Sequence, residues 1–532
     1  MSGAAIVGAD SAPAPTGRMN CVNPATGETY ATVPLTPPAS VAGVRAALAE
    51  AQPAWAARSV ADRIRAVSAF VDGVIDRAEA LAAAVSVATG KPAYAAVDEV
   101  IGLVASARAM AAAAPEWLAD DTSRTCSLMA AGRPTVVRRV PLGIVAMLTP
   151  YNFPLTLALG NVLPALIAGN CVMLKVSEVV PGVGLLIEGL LSELADGVLA
   201  PLVRVLHGGG DVGAAMVDAA RGSPDHVLFI GSVSVGRKVA AAAGAGGVGC
   251  TLELGGKDCA IVCADADVPS AVQAVATGAF YHAGQCCIGV ERAYVVDTAY
   301  DAFVEAMVKH VQQKVTYGYT PATSGGDGDD GQEDAKKADV TYGCATARSQ
   351  LRTIQAHVDA AVAAGAKVLT GGQADGIFYP PTVLAMPEGS ATAASAHPVL
   401  CEETFGPVLP IVRVPSAEAA VAAANDTSFG LGGYIFTGDA APGGAGDRLA
   451  RQLQTGGVVL NDVFLQAFHT GVPFGGTRSS GRGRIGGREG LLGFTTTQTI
   501  VLCAAGGAPD WEFRDSSAKL GMLREVFGRP RA

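Results

Sequence analysis

Apolar residues in the first quarter of the chain recur at three- and four-residue intervals, a spacing that predicts Ala-rich amphipathic helices around 39 to 52, 60 to 88 and 93 to 118. From residue 144 the pattern changes. Short apolar runs (Ile144 to Leu148, Cys171 to Val176, Val203 to His207, His226 to Ile230) alternate with helical stretches at 155 to 168, 183 to 195, 212 to 220 and 234 to 244. This alternation predicts parallel βαβ units with helices on both faces of a sheet, and such sheets bind ligands at the carboxyl ends of their strands. A second α/β half begins near Lys257. Its strands are expected at Cys259 to Cys263, Arg292 to Val296, Lys367 to Thr370 and Val408 to Val414, with helices at 299 to 315 and 345 to 364.

Other stretches punctuate the two halves. Residues 1 to 20 read as a flexible tail, and NPATGETYATVPL (23 to 35) as a turn followed by a strand. Residues 321 to 339, PATSGGDGDDGQEDAKKAD, have no apolar face to bury and are expected to form a mobile acidic surface insertion. The polar and apolar residues of FTTTQTIVL (494 to 502) alternate as in an amphipathic strand, whose partner is either the ribbon at 134 to 140 or a strand of another subunit.

A chain of 532 residues is long enough for two or three domains. The net charge of −10 is spread without a basic stripe, which argues against nucleic acid and for a small-molecule partner. Eleven cysteines scattered from Cys21 to Cys503 make no even disulfide framework, so a reducing, cytoplasmic setting is expected. No zinc-type spacing occurs, and no metal is expected. The uncharged stretch from Val140 to Leu174 is broken by four prolines and three asparagines, which excludes a spanning helix and leaves buried strand, loop and helix.

Two features carry candidate chemistry. In FYHAGQCCIG (280 to 289) the thiols of Cys286 and Cys287 follow an apolar helical stretch, and they are either two small buried hydrophobes or a nucleophile with its neighbour. GGGDVG (208 to 213) fits a dinucleotide-type glycine loop, but the next strand ends without an acidic residue for a ribose. The favoured reading is a plain tight strand-to-helix turn.

Several separated motifs then match one family in order: TPYNFPL (149 to 155), KVSE (175 to 178), FIGSVSVG (229 to 236), LELGGK (252 to 257), GQCC (284 to 287), EETFGP (402 to 407) and PFGGTRSSGRGR (473 to 484). From about residue 20 to residue 502 the chain resembles an NAD(P)-dependent aldehyde dehydrogenase. The resemblance implies two Rossmann-like open α/β domains plus a small β oligomerisation ribbon. The NAD-binding domain would comprise 21 to 132 and 142 to 255, the catalytic domain 256 to 474, and the ribbon 133 to 141 and 485 to 503, in a homodimer or homotetramer.

It also implies the roles. Cys287, framed by Phe280, Gly284 and Gln285, is the nucleophile and Cys286 its neighbour. Asn152 supplies an amide to the oxyanion, and Glu253 activates water against the thioester. Lys175 and Glu178 reach the adenine ribose, which favours NAD while leaving NADP open. Gly231 and Ser232 meet the pyrophosphate at a helix start. Glu403 holds the nicotinamide ribose, with Phe405 beside the ring. Phe153, Leu157, Cys286, Ile288 and Phe468 line an apolar aldehyde tunnel. Tyr151, Val176 and Arg478 depart from the family's more usual Trp, Pro and Lys without removing a reacting group. The expected reaction is oxidation of a neutral or apolar aldehyde to its free acid. The alternatives are a succinate-semialdehyde-like dehydrogenase and a catalytically silent member of the family.

Overall fold

The structure, a computed structural model, describes residues 17–122, 133–218, 220, 222–320, 340–392, 394–503, 517, 520 and 521. Most of the expected tail and the whole acidic insertion at 321 to 339 lie outside the described residues. Two compact units divide the chain, one within Met1–Leu118 and Val140–Thr496, the other within Ala119–Arg139 and Thr497–Ala532.

The first unit opens on a hairpin of β1 (Arg18–Val22) and β2 (Thr29–Pro34). Residues 18 to 20 are therefore strand and not tail. Cys21 and Val33 are fully buried and Arg18 donates to the Thr32 hydroxyl at 2.9 Å, so this segment has both an apolar anchor and a polar one. The helix expected over 60 to 88 is two helices, Val60–Asp76 and Ala78–Thr89, separated at Arg77, whose guanidinium pairs with Glu193.

Past β3 (Thr135–Pro141), which belongs to the ribbon, comes the first large sheet. It contains β4 (Ile144–Leu148), β5 (Cys171–Lys175), β6 (Val203–Val205), β7 (His226–Ile230) and β8 (Gly249–Glu253), all parallel, in the order β8-β7-β4-β5-β6. Every residue of β4 and β5 is buried, as expected of strands covered on both faces, and this is why they read as unbroken apolar runs. The strand order reverses between β4 and β7. The loops after these two strands diverge there and leave a crevice.

The second sheet contains β9 (Cys259–Val262), β10 (Arg292–Val296), β11 (Lys367–Thr370), β12 (Thr382–Ala385), β13 (Val408–Val414), β14 (Gly432–Phe436) and β15 (Gly457–Leu460), in the order β11-β12-β13-β10-β9-β14-β15. Only β11 runs antiparallel to its neighbour. The side chains of β9 and β10 alternate between two cores: Ala260, Val262, Ala293 and Val295 pack with the helix Val268–Phe280, whereas Cys259, Ile261, Tyr294 and Val296 pack with the helix Arg348–Ala363. A short strand, β16 (Gly481–Arg482), returns to the first sheet and pairs antiparallel with β8 beside Glu253.

In the second unit β17 (Thr495–Val501) pairs with β3, and Leu502 donates to the Pro134 carbonyl at 2.9 Å. Of the two partners that the sequence leaves open, the strand takes the ribbon of its own chain. Among the described residues no helix is long and apolar enough to cross a membrane.

Candidate active site

The loops that leave β4, β7 and β8 meet over one cavity of about 300 Å³. Its wall takes Tyr151 and Asn152 from the first loop, Gly231 and Ser232 from the second, and Glu253 and Gly255 from the third. Cys287, Glu403, Phe405 and Leu157 complete the expected residues on it. Asn152 and Cys287, on two separate loops, and Glu253, at the end of β8, thus come to one space.

Cys287 is positioned by an unusual turn. After the helix Val268–Phe280 the backbone runs through His282 (φ 52°), Ala283 (φ 56°) and Gly284 (φ 68°), all in the left-handed region, which reverses the chain within a few residues. A Cβ at Gly284 would stand 2.2 Å from the Gly406 carbonyl oxygen, so a glycine is required there. Gln285 holds the turn: its amide donates to the His282 and Cys344 carbonyls, each at 3.1 Å, and accepts from the Thr346 N–H at 2.9 Å. Its own carbonyl accepts from the Asn152 side-chain amide at 3.0 Å. The hydrogen bond with Cys286, then burial, pushes the Cys287 thiol well above its ordinary value.

Glu253 ends β8. Its carbonyl accepts from the Gly231 N–H at 3.0 Å, while its carboxylate is buried with no described side chain hydrogen-bonded to it. Burial raises this carboxyl well above the usual carboxylate range, against smaller opposing effects of Arg484 and of the Gly476 N–H. The Oδ1 of Asn152 is likewise buried without a partner. Unmet buried acceptors are costly in a finished core, and both residues belong to the wall of this cavity.

Glu403 accepts from the Gly256 N–H at 3.0 Å, and burial followed by the nearby Glu291 charge lifts its carboxyl to about 8. Glu291 accepts from the Thr404 and Phe405 N–H groups at 2.8 Å each, which holds Phe405 in a left-handed conformation (φ 49°), edge-on to Tyr151 at 6.1 Å. Ser232 caps the helix Val233–Ala245 and is exposed.

Lys175 and Glu178 stand off the cavity wall, at the end of β5, bonded to each other at 2.9 Å. Two glycines of 208 to 213 answer to packing, since a Cβ at Gly208 would lie 2.3 Å from Val212 and one at Gly213 2.9 Å from Leu148, whereas Gly210 has open space around it. Of the five expected tunnel residues only Leu157 lines this cavity. Cys286 and Ile288 are buried in the core of the second sheet. Phe153, Tyr281, Phe464 and Phe468 form an aromatic run with centroids 6.2, 5.8 and 6.5 Å apart, which ends at the surface on Phe468, 58% exposed.

Sequence reasoning missed Lys91, Glu99 and Gly475. Glu99 had a signal: it falls on the apolar stripe of Ala95, Ala96, Val100 and Leu103, where a carboxylate needs a buried partner. Gly475 had none beyond its motif.

The model of the aldehyde dehydrogenase family matches residues 12–500. The chain is 33% identical over 487 residues to a putative succinate-semialdehyde dehydrogenase [NADP(+)] 2 of Mycobacterium ulcerans, covering 90% of this chain and 87% of that protein. It is 34% identical over 480 residues to the 4,4'-diapolycopene aldehyde oxidase of a Methylomonas species, covering 89% and 84%. Among solved structures, the NAD-dependent aldehyde dehydrogenase of Sinorhizobium meliloti superposes with a TM-score of 0.83 at 30% identity, covering 93% of each chain. With matches that run nearly its whole length, the chain belongs to the aldehyde dehydrogenase family, oxidoreductases that act on aldehydes with NAD or NADP.

Proposed function

We propose that the chain oxidises a neutral or apolar aldehyde to the free carboxylic acid, with NAD preferred, through an acyl group carried on Cys287. The observation that carries this reading is the meeting of Asn152, Glu253 and Cys287 on one cavity wall. The Cys287 thiol first loses its proton to solvent, and the thiolate attacks the aldehyde carbon. The oxygen that gains charge is met by the Asn152 amide and by the main-chain N–H of Cys287. A nicotinamide cofactor, when bound, supplies the acceptor for the hydride that leaves this carbon. Glu253 then takes a proton from water, which attacks the thioester, and the acid departs as the Cys287 thiolate reforms.

The residues present fit such a cofactor. Gly231 and Ser232 offer the start of a helix to a pyrophosphate, Glu403 and Phe405 flank the catalytic end, and Lys175 with Glu178 stands at the far strand end. A carboxylate at Glu178 accepts from ribose hydroxyls and repels an added 2′-phosphate, which supports NAD. On this reading residues 21 to 132 and 142 to 255 bind the cofactor and 256 to 474 carry the nucleophile. The aldehyde enters along the aromatic run from Phe468 to Phe153. The ribbon of 133 to 141 and 485 to 503 joins a homodimer or homotetramer, supported by the exposed Ile500, Val501 and Leu502, and the scattered cysteines support a cytoplasmic setting.

A semialdehyde is the second reading, favoured by the similarity to putative succinate-semialdehyde dehydrogenases. Against it, no described residue on the cavity wall is basic, and Lys91, 4.5 Å from the Phe153 ring, is buried in an ion pair with Glu99. Absorbance of the reduced cofactor tests both readings, with aliphatic, aromatic and acidic aldehydes, NAD and NADP, and wild type beside Cys287→Ala. The highest kcat/KM on apolar aldehydes with NAD, abolished in the variant, is expected. Preference for a carboxylated aldehyde would install the second reading, and wild-type inactivity on every aldehyde would refute both.

A further inference from the structure

We propose that Lys91 and Glu99 are positioning residues that hold Asn152 in place to meet the oxyanion, an inference that rests on the reading of Asn152 as the oxyanion donor. Lys91 lies in the turn between the helices Ala78–Thr89 and Ala93–Trp117 and is fully buried. Its ammonium donates to the Asn152 carbonyl at 2.8 Å and to one oxygen of Glu99. The other Glu99 oxygen accepts from the N–H groups of Leu155 at 3.0 Å and Thr156 at 3.3 Å. The helix Pro154–Ile167 has no side-chain cap at Phe153, so Glu99 both satisfies its first free donors and sets a negative charge at the positive end of its dipole. The Thr156 hydroxyl closes the clamp on the Glu99 carbonyl at 2.7 Å. Asn152 is therefore held by its main chain on one side, while the next turn of its own segment is tied to the same ion pair.

The clamp also joins the cysteine turn. The Asn152 amide bonds to Gln285, Gln285 to Thr346 at 2.9 Å, and the Thr346 hydroxyl to the Thr89 carbonyl at 2.6 Å, two residues before Lys91. Four segments distant in sequence thus form one closed circuit through the amide that faces the reacting carbon. A buried ion pair contributes little net stability relative to an apolar replacement, so its geometry, not its energy, is what the fold gains from it.

The experiment compares Lys91→Met, Asn152→Ala and the double variant at saturating cofactor and aldehyde. Lys91→Met is expected to lower kcat about tenfold to a hundredfold while leaving both KM values unchanged. The double variant is expected to be no slower than Asn152→Ala alone, because Lys91 acts through the amide already lost. Alkylation of Cys287 by iodoacetamide, which builds no oxyanion at a carbonyl, is expected to be unaffected in Lys91→Met. A double variant showing the full product of the two losses, or Lys91→Met with wild-type kcat beside an impaired Asn152→Ala, overturns the proposal and spares the reading of Asn152. Wild-type kcat in Asn152→Ala overturns both. Should Lys91→Met fail to fold, Glu99→Gln carries the same comparison, with the same pattern expected and the same product of losses overturning it.

Discussion

A Cβ placed on Gly475 would lie 2.4 Å from Oε1 of Glu253, so the carboxylate rests directly against main chain that only glycine leaves open. Gly475→Ala must push it away from the cavity it lines. Thioester hydrolysis then slows while acylation does not, and stopped-flow absorbance is expected to show a burst of reduced cofactor followed by a steady rate lower by about tenfold or more. A steady rate equal to wild type would show that the carboxylate's position is immaterial.

Glu253 carries a folding cost whose sign is fixed by burial. Its folded carboxyl titrates well above its unfolded value of 4.5, so the folded state binds the extra proton and loses stability as pH rises from that value through the folded pKa. Replacement by Gln removes this slope. The melting temperature of Glu253→Gln relative to wild type is expected to rise with pH from about 4.5 upward and to change little below it. A difference independent of pH would contradict the burial argument.

The Cys287 thiol, raised first by its hydrogen bond with Cys286 and then by burial, is expected to alkylate ever faster through pH 9 in the cofactor-free enzyme. Cys286→Ala should shift that profile to lower pH. A plateau near pH 7 in the wild type, or an unshifted profile in the variant, would refute the assignment of the cause.

Much of this site was legible because its chemistry sits in short motifs at strand ends. The unbroken apolar runs of β4, β5 and β7 announced a sheet buried on both faces, and the loops after them hold Asn152 and Gly231. The strands β12, β14 and β15 were not anticipated. They are four or five residues long, two of them begin on glycines (Gly432, Gly433 and Gly457), and none holds more than two consecutive β-branched residues, too short a run to mark a strand. The circuit through Lys91, Gln285 and Thr346 was illegible for another reason. Each of its bonds joins residues far apart in sequence, and no local pattern records a contact of that kind.

The ribbon offers its own test. Ile500, Val501 and Leu502 are exposed at the end of β17, an unusual cluster of apolar side chains for a surface strand. Ile500→Asp combined with Leu502→Asp is expected to shift sedimentation from a dimer or tetramer to a monomer. An unchanged oligomer would place the subunit contact elsewhere.

Trapping the acyl group tests the mechanism at its root. Glu253→Gln, incubated with an aldehyde and NAD and digested, is examined by tandem mass spectrometry of the peptide that carries both adjacent cysteines. The acyl group is expected on Cys287, in step with one equivalent of reduced cofactor. An adduct on Cys286, or reduced cofactor formed with no acyl-enzyme at any time point, would show that oxidation proceeds without the sulfur on which the mechanism depends.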